Sequence, residues 1–426
     1  MQTNNQSFVL KGARREGAGL WDVVVQEGRI ASAGPAGSLD IPAGLAELQA
    51  QGQLLFPSFI DAHTHLREPG FEYKEDIQSG LTAAARGGFG SVMAMANTLP
   101  VNDNASVTKL MLDQAARFHP HGPRLYPIGA LSVGLQGKEL APMGELAAAG
   151  ARAISNDGVP IVNNELFRRA VEYAATWGLK VIDHCEDPYL SAGAQMNEGA
   201  SSAAFGLKGQ PGASEALQVA RDILLAEYLD LPIHLAHISC RQSVELLRWA
   251  KGRGVKITSE TCPPYLFLDD SLLEGYNTLY KLNPPLRSKD DIAAVREAIK
   301  DGTIDILATD HAPHAAHEKE VPFDEAPNGL IGLETSLPLT YDLVREGFLS
   351  AARLEELWAY APAAIFGLPV NSFKPGDSAD FFLFDPDASW TVNRENMASK
   401  SLNSPWLGRE LRGRVSAHWL GGVKIV

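Results

Sequence analysis

Between about residues 54 and 367 the chain alternates short apolar runs with stretches whose apolar residues recur at helical spacing. Eight strand-like runs can be counted, at 54–62, 89–97, 124–131, 151–157, 180–186, 232–239, 255–261 and 304–310. Between them Asn164–Trp177, Ser214–Leu229 and Lys289–Lys300 read as amphipathic helices, and the Ala-rich Glu145–Ala151 also suits a helix. Strand–helix alternation implies a parallel sheet, and eight such units imply an α/β fold, a (β/α)8 TIM barrel. The two ends of the chain differ from this middle. Trp21–Val25 is β-branched and followed by a turn at Glu27-Gly28-Arg29, while Asp380–Asp385 and Arg414–Leu420 read as strands near the C-terminus. The pattern predicts a small β-sandwich domain formed from both termini, 1–53 and 368–426, around a catalytic barrel at 54–367.

In such a barrel the chemistry gathers at the C-terminal ends of the strands. Polar residues do follow the runs here. His63 and His65 end the first, Asn97 the second, and Asn156-Asp157-Gly158 the fourth. His184-Cys185-Glu186 ends the fifth, His237-Ile238-Ser239 the sixth, and Asp310-His311-Ala312-Pro313-His314 the eighth. Six of the 11 histidines fall at these ends. Singly, each has an ordinary explanation: a lone histidine is more often a hydrogen-bonded structural residue, and Asp-Gly more often a turn. Chance placement explains the joint pattern poorly. The i, i+2 spacing of His63 and His65 also puts both imidazoles on one face of a strand.

Composition narrows the partners. The 426 residues are 45% hydrophobic and 21% charged, with ample material for a core. A net charge of −14 argues against non-specific nucleic-acid or anionic-membrane binding, so a small-molecule partner is expected. An anionic substrate would need positive charge gathered locally. Cys185, Cys240 and Cys262 are sparse, odd in number and not spaced as a zinc-thiolate motif, which suggests a reducing compartment and small buried roles. Met1-Gln2-Thr3-Asn4-Asn5 carries no signal-like region and no run approaches 18 apolar residues, so the chain reads as soluble and cytoplasmic.

Four histidines and two carboxylates at one barrel mouth suit Zn²⁺. His63, His65 and Asp310 are assigned to one ion, His184 and His237 to a second, with a bridge required between them. Two such ions share and acidify a water and polarise the carbonyl under attack. Asp310 can both ligate and carry a proton from that water to the leaving nitrogen, making it the catalytic acid–base candidate.

These residues resemble the amidohydrolase superfamily and, within it, the dihydroorotases of the bacterial type I class. The likeness rests on Asp61-Ala62-His63-Thr64-His65-Leu66-Arg67-Glu68-Pro69-Gly70, Lys74-Glu75-Asp76-Ile77, Asn97-Thr98, Asn156-Asp157-Gly158 and His184-Cys185-Glu186-Asp187. It continues through His237-Ile238-Ser239, Lys281 to Arg287, Thr309 to His314 and Gly329 to Thr335. The resemblance implies reversible closure of N-carbamoyl-L-aspartate to L-dihydroorotate plus water, in pyrimidine synthesis. It implies two Zn²⁺ per subunit, bridged by a hydroxide and an aspartate. Hydantoinases and allantoinase use a carbamylated lysine after the fourth strand, but here no lysine occurs between Lys138 and Lys180. Asp157 is the nearby residue with an oxygen pair able to bridge; its plain alternative is a turn residue before Gly158. By resemblance Arg67, Asn97 and His314 hold the substrate carboxylate, Asn283 contacts the ring amide, and Gly329 and Leu330 belong to the substrate site. The ordinary alternatives are a salt bridge from Arg67 to Glu68 or Glu72, and a turn role for Asn283. Residues 315–328 read as a mobile active-site loop or a solvated insertion. Asp61 reads as a carboxylate orienting a histidine. Relatives of this kind often form homodimers, and some associate with aspartate transcarbamoylase.

Three positions depart from the family pattern: Ser58 for glycine, Ala96 for proline, and Cys262-Pro263-Pro264-Tyr265 where Pro-His-His is usual. None removes a proposed ligand. The competing readings are another cyclic-amide hydrolase, hydantoinase or allantoinase, and a non-catalytic scaffold subunit.

Overall fold

The computed structural model describes residues 6–426; the opening five residues, read above for a signal region, lie outside them. Each of the eight apolar runs holds all or most of one strand of a parallel barrel. In order these are Phe59–Thr64, Phe89–Ala94, Arg124–Ala130, Ala153–Ser155, Lys180–Asp183, Ile233–Leu235, Ile257–Thr261 and Ile306–Leu307. A parallel bridge between Thr64 and His311, and a 2.8 Å bond from the His65 N–H to the His311 carbonyl, link the last strand back to the first. Ile60, Ala62, Met93, Ile128, Ile182, Ala236 and Ile306 fill the interior, with Phe366 from the last helix, Ala361–Phe366. The predicted helices form at Asn164–Thr176, Gly212–Leu229 and Lys289–Asp301, and a shorter one at Met143–Ala149.

Local chemistry sets the joins. Asp76 caps the helix Ile77–Gly87 by accepting from the Ser79 N–H at 2.7 Å. Gly88 ends it at φ +89°, and a Cβ there would stand 2.9 Å from the Phe382 ring, so both backbone and space demand glycine.

The first apolar run corrects the expectation of a single barrel strand. Leu54–Pro57 pairs antiparallel with Phe381–Thr391 in the terminal sheet, and only after Ser58 does Phe59–Thr64 enter the barrel. Both pieces are buried throughout, so no change in hydropathy marks the break. We propose drawing the edge of the small domain after Pro57.

The terminal sheet has eight strands, five from Phe8–Arg15 to Leu54–Pro57 and three from Phe381 onward. Its side chains alternate between two destinations. Phe381, Leu383, Phe8, Val25 and Trp419 enclose the small domain's own core, while Phe382, Phe384 and Phe56 face the barrel. There the Phe382 ring meets Phe59 edge-on at 5.0 Å. Among the described residues no helix is long and apolar enough to cross a membrane.

Candidate metal centre

Five strand ends bring the predicted ligands together. Asp157 stands at the middle of them: its carboxylate lies 3.5 Å from His63 Nε2, 3.5 Å from His65 Nε2, 3.4 Å from His184 Nδ1 and 3.4 Å from His237 Nε2. Asp310 Oδ1 lies 3.0 Å from His65 Nε2 and 3.6 Å from His63 Nε2. Two clusters result, His63–His65–Asp157 and Asp157–His184–His237, sharing the aspartate. Ligand atoms bound tetrahedrally at ~2.0–2.2 Å stand roughly 3.3–3.6 Å apart, so most of these separations are those of a metal's donor set. The fit has a sharper sign. His63 Nε2 is wholly buried and has no hydrogen-bond partner, yet it points between two carboxylates. A buried orphan nitrogen is costly unless something binds it.

Partners behind the rings fix their orientation. Glu260 Oε1 accepts from His63 Nδ1 at 2.7 Å, Asn97 Oδ1 from His65 Nδ1 at 2.8 Å, and Glu186 Oε2 from His184 Nε2 at 2.8 Å. His184 therefore presents Nδ1 to the site, whereas His63 and His65 present Nε2. Sequence reasoning missed both glutamates as orienting groups. Glu260 lies inside its strand, and Glu186 had only its place beside His184 to single it out. Asp61 does not orient an imidazole, contrary to expectation. Its carboxylate accepts from the His63 backbone N–H at 3.2 Å and from the Thr309 N–H and hydroxyl at 3.0 and 2.5 Å, pinning the first strand to the eighth.

Backbone and field are both specialised. His237, Asp310 and Arg67 sit at φ +32°, +45° and +63°, left-handed conformations that non-glycine residues adopt at a cost. Burial opposes charge on His184, but Asp157 and Glu186 outweigh it and push its pKa up to about 10. Burial would raise the Asp157 and Asp310 carboxyls, but the facing imidazoles hold Asp157 well below, and Asp310 below, the ordinary aspartate value. The cradle is thus built to stabilise positive charge.

The pocket over these groups has a volume of about 260 Å³ and is lined by His65, Arg67, Asn97, Asp157, Gly158, His184, His237, Asn283, Asp310, Ala312, His314, Asn328 and Gly329. Arg67 makes no salt bridge to Glu68 or Glu72; its Nε donates to the Pro313 carbonyl at 3.1 Å and its Nη2 lies 3.4 Å from His314 Nε2. Asn283 donates to Glu186 Oε2 at 2.7 Å and lies 3.4 Å from His184 Nε2. Gly329, at φ +140°, borders the pocket where a Cβ would stand 2.8 Å from the Ala312 carbonyl. Leu330 does not line it: its side chain joins a neighbouring apolar core and its carbonyl accepts from the Ala312 N–H at 2.7 Å.

Residues 315–328 are tied down. Lys319, 5% exposed, donates to the carbonyls of Thr278, Lys281 and Pro327, and Lys281 donates to that of Phe323 at 2.6 Å. The charged and proline-rich composition does not reveal that both lysines turn inward. Two of the three departures from the family pattern find local roles: Ser58 Oγ lies 2.8 Å from His418 Nε2, and the Tyr265 hydroxyl donates to the Pro284 carbonyl at 2.7 Å.

The architecture is that of the hydantoinase barrels. L-hydantoinase from Arthrobacter aurescens superposes with a TM-score of 0.87 at 24% identity, covering 98% of this chain and 96% of that one. D-hydantoinase from Thermus sp. gives 0.83 at 23% identity, over 98% and 95%. Fold and site together define a (β/α)8 barrel with candidate metal-binding clusters at its mouth. Sequence relatives carry the assignment further. The chain is 48% identical over 401 residues, 94% of each chain, to the dihydroorotase of Geobacter metallireducens. It is 49% identical to that of Geobacter sulfurreducens, over 95% of this chain and 94% of that one. Residues 52–243 also match the family model described as Dihydro-orotase-like. The chain belongs to the dihydroorotase family.

Proposed function

We propose that this chain is a dihydroorotase of the bacterial type I class, closing N-carbamoyl-L-aspartate reversibly to L-dihydroorotate and water. The observation that carries the reading is the Asp157 carboxylate within 3.4–3.5 Å of four imidazoles, at the position where hydantoinases keep a lysine. His63, His65 and Asp310 would hold one Zn²⁺, His184 and His237 the other, with Asp157 between them. When bound, such a pair supplies Lewis acidity toward a carbonyl and lowers the pKa of water.

The chain's own groups do the rest. Asp310, held ionised, takes up the proton of the attacking water in hydrolysis and delivers it to the departing ring nitrogen; ring closure reverses the path. Arg67 and Asn97 bind the substrate carboxylate beside His314, and Asn283 holds the ring amide. Ring closure consumes a proton, because carbamoyl-aspartate has two carboxylates and dihydroorotate one, so acid favours the ring. The chain is further read as a cytoplasmic enzyme, able to form a homodimer and to associate with aspartate transcarbamoylase.

The test is a dihydroorotate hydrolysis assay with metal analysis, beside hydantoin and allantoin as substrates and an Asp310→Ala variant. We expect turnover of dihydroorotate alone, and a kcat about 10²–10⁴-fold lower in the variant. Full activity in Asp310→Ala removes its assigned role, and turnover of hydantoin without dihydroorotate overturns the substrate.

A further inference from the structure

Glu260 lies on the seventh barrel strand, fully buried, and touches two rings from different strands. Its Oε1 stands 2.7 Å from His63 Nδ1 on the first strand and its Oε2 3.1 Å from His234 Nε2 on the sixth. His234 Nδ1 in turn stands 2.8 Å from Thr258 Oγ1. An ionised carboxylate only accepts, so both rings must donate to it. When Nε2 gives up its proton to bind a metal, His63 keeps its proton on Nδ1 and aims the Nε2 lone pair, on the buried nitrogen without a protein partner, at the metal position. His234 carries its proton on Nε2, and Thr258 donates to the Nδ1 left bare. With Nε2 of His63 given to a metal, this arrangement of protons satisfies every contact in the relay.

We propose that Glu260 is a positioning residue that fixes His63 as an Nε2 donor to the first metal position, with His234 and Thr258 fixing Glu260 in turn. This rests on the metal reading above. Glu186 serves His184 differently: it is reached by Asn283 and the Ser191 hydroxyl, at the pocket wall. Glu260 is sealed beneath the site, where no substrate group reaches it. A glutamine there has one acceptor and one donor. It would donate to one of the two rings, and so force either His63 or His234 into the other tautomer.

The test compares wild type, Glu260→Gln and Thr258→Val as full chains. Imidazole ¹⁵N spectra of the zinc-loaded proteins read the His63 tautomer, chelator competition reads zinc affinity, and thermal melting reads metal-free stability. We expect zinc-loaded His63 protonated on Nδ1 alone in wild type and a displaced Nδ1 signal in Glu260→Gln, with zinc affinity about 10–100-fold weaker. With zinc saturating, KM should stay within about 3-fold of wild type, since Glu260 lies outside the substrate pocket. Thr258→Val, which deletes only the last hydroxyl, should weaken zinc by a smaller factor and decides the matter if Glu260→Gln fails to fold. Unchanged tautomer and zinc affinity with a lower metal-free melting temperature would mean that Glu260 only packs, and overturns the proposal. Wild type that holds no zinc overturns the metal reading as well, whereas zinc-bound wild type matched by Glu260→Gln overturns this inference alone.

Discussion

Two imidazoles lining one pocket are shifted in opposite directions. Burial disfavours charge on both. On the cradle wall Asp157 and Glu186 overcome it and raise His184 to about 10. On the rim wall burial is joined by Arg67, Lys74 and Lys319, and His314 falls from 6.5 to about 3. The pocket is therefore polarised, negative where cations would sit and positive where a substrate carboxylate would. A chain with net charge −14 can receive an anion because its cations are gathered on one wall. The walls also differ in construction. Cradle rings are held from behind by Glu260, Asn97 and Glu186, while Arg67 is steadied by a carbonyl and lies close to His314.

The largest expected effect comes from breaking the cradle. Asp157→Ala should abolish dihydroorotase activity and lower bound zinc per subunit, because one carboxylate serves both clusters. Retention of two zinc ions in that variant would dissolve the shared-ligand picture. Breaking the rim should look different. Arg67→Met should raise KM about 30-fold or more with zinc content unchanged, since removal of a buried charge partner costs ~2 kcal/mol or more. A fall in kcat alone would place Arg67 with the chemistry instead.

The support behind the rim can be tested separately. Lys319→Ala takes the donor from the Pro327 carbonyl, while those of Thr278 and Lys281 keep backbone N–H partners; the loss costs about 1–3 kcal/mol and should admit protease cleavage within 315–328. Protection equal to wild type would mean that the loop is held by other contacts.

The smallest effect is a proton count. Metal-free His184 remains charged at pH 7.5, so zinc binding should release a proton, visible by calorimetry in buffers of different ionisation enthalpy. His314 should release none. Its folded pKa lies below the unfolded one, so the unfolded chain binds that proton first, and stability should fall as pH drops from 6.5 toward 3. Removing the ring with His314→Asn should flatten that acid limb.

Much of this was legible in the chain. The eight apolar runs each held all or most of a barrel strand, and the ligands at their ends converged, because a parallel barrel places every strand's C-terminal end at one mouth. What the chain concealed was the direction of its side chains. Asp61 sits two residues before His63 on the same strand face, yet its carboxylate turns to Thr309, a partner 248 positions away. Leu330 follows Gly329 directly, yet only the glycine lines the pocket.

Sequence by itself determined what depends on local periodicity and on residue identity: the strands and helices, their order, and the set of groups able to bind metal. Tertiary structure decided what depends on contacts across the barrel. It turned Lys319 inward, divided the run at 54–62 between two sheets, and set Glu260 beneath His63 across 197 positions of chain. Orientation of a side chain is set by packing and by its hydrogen-bond partner, and a partner brought close only by folding leaves no local mark in the sequence.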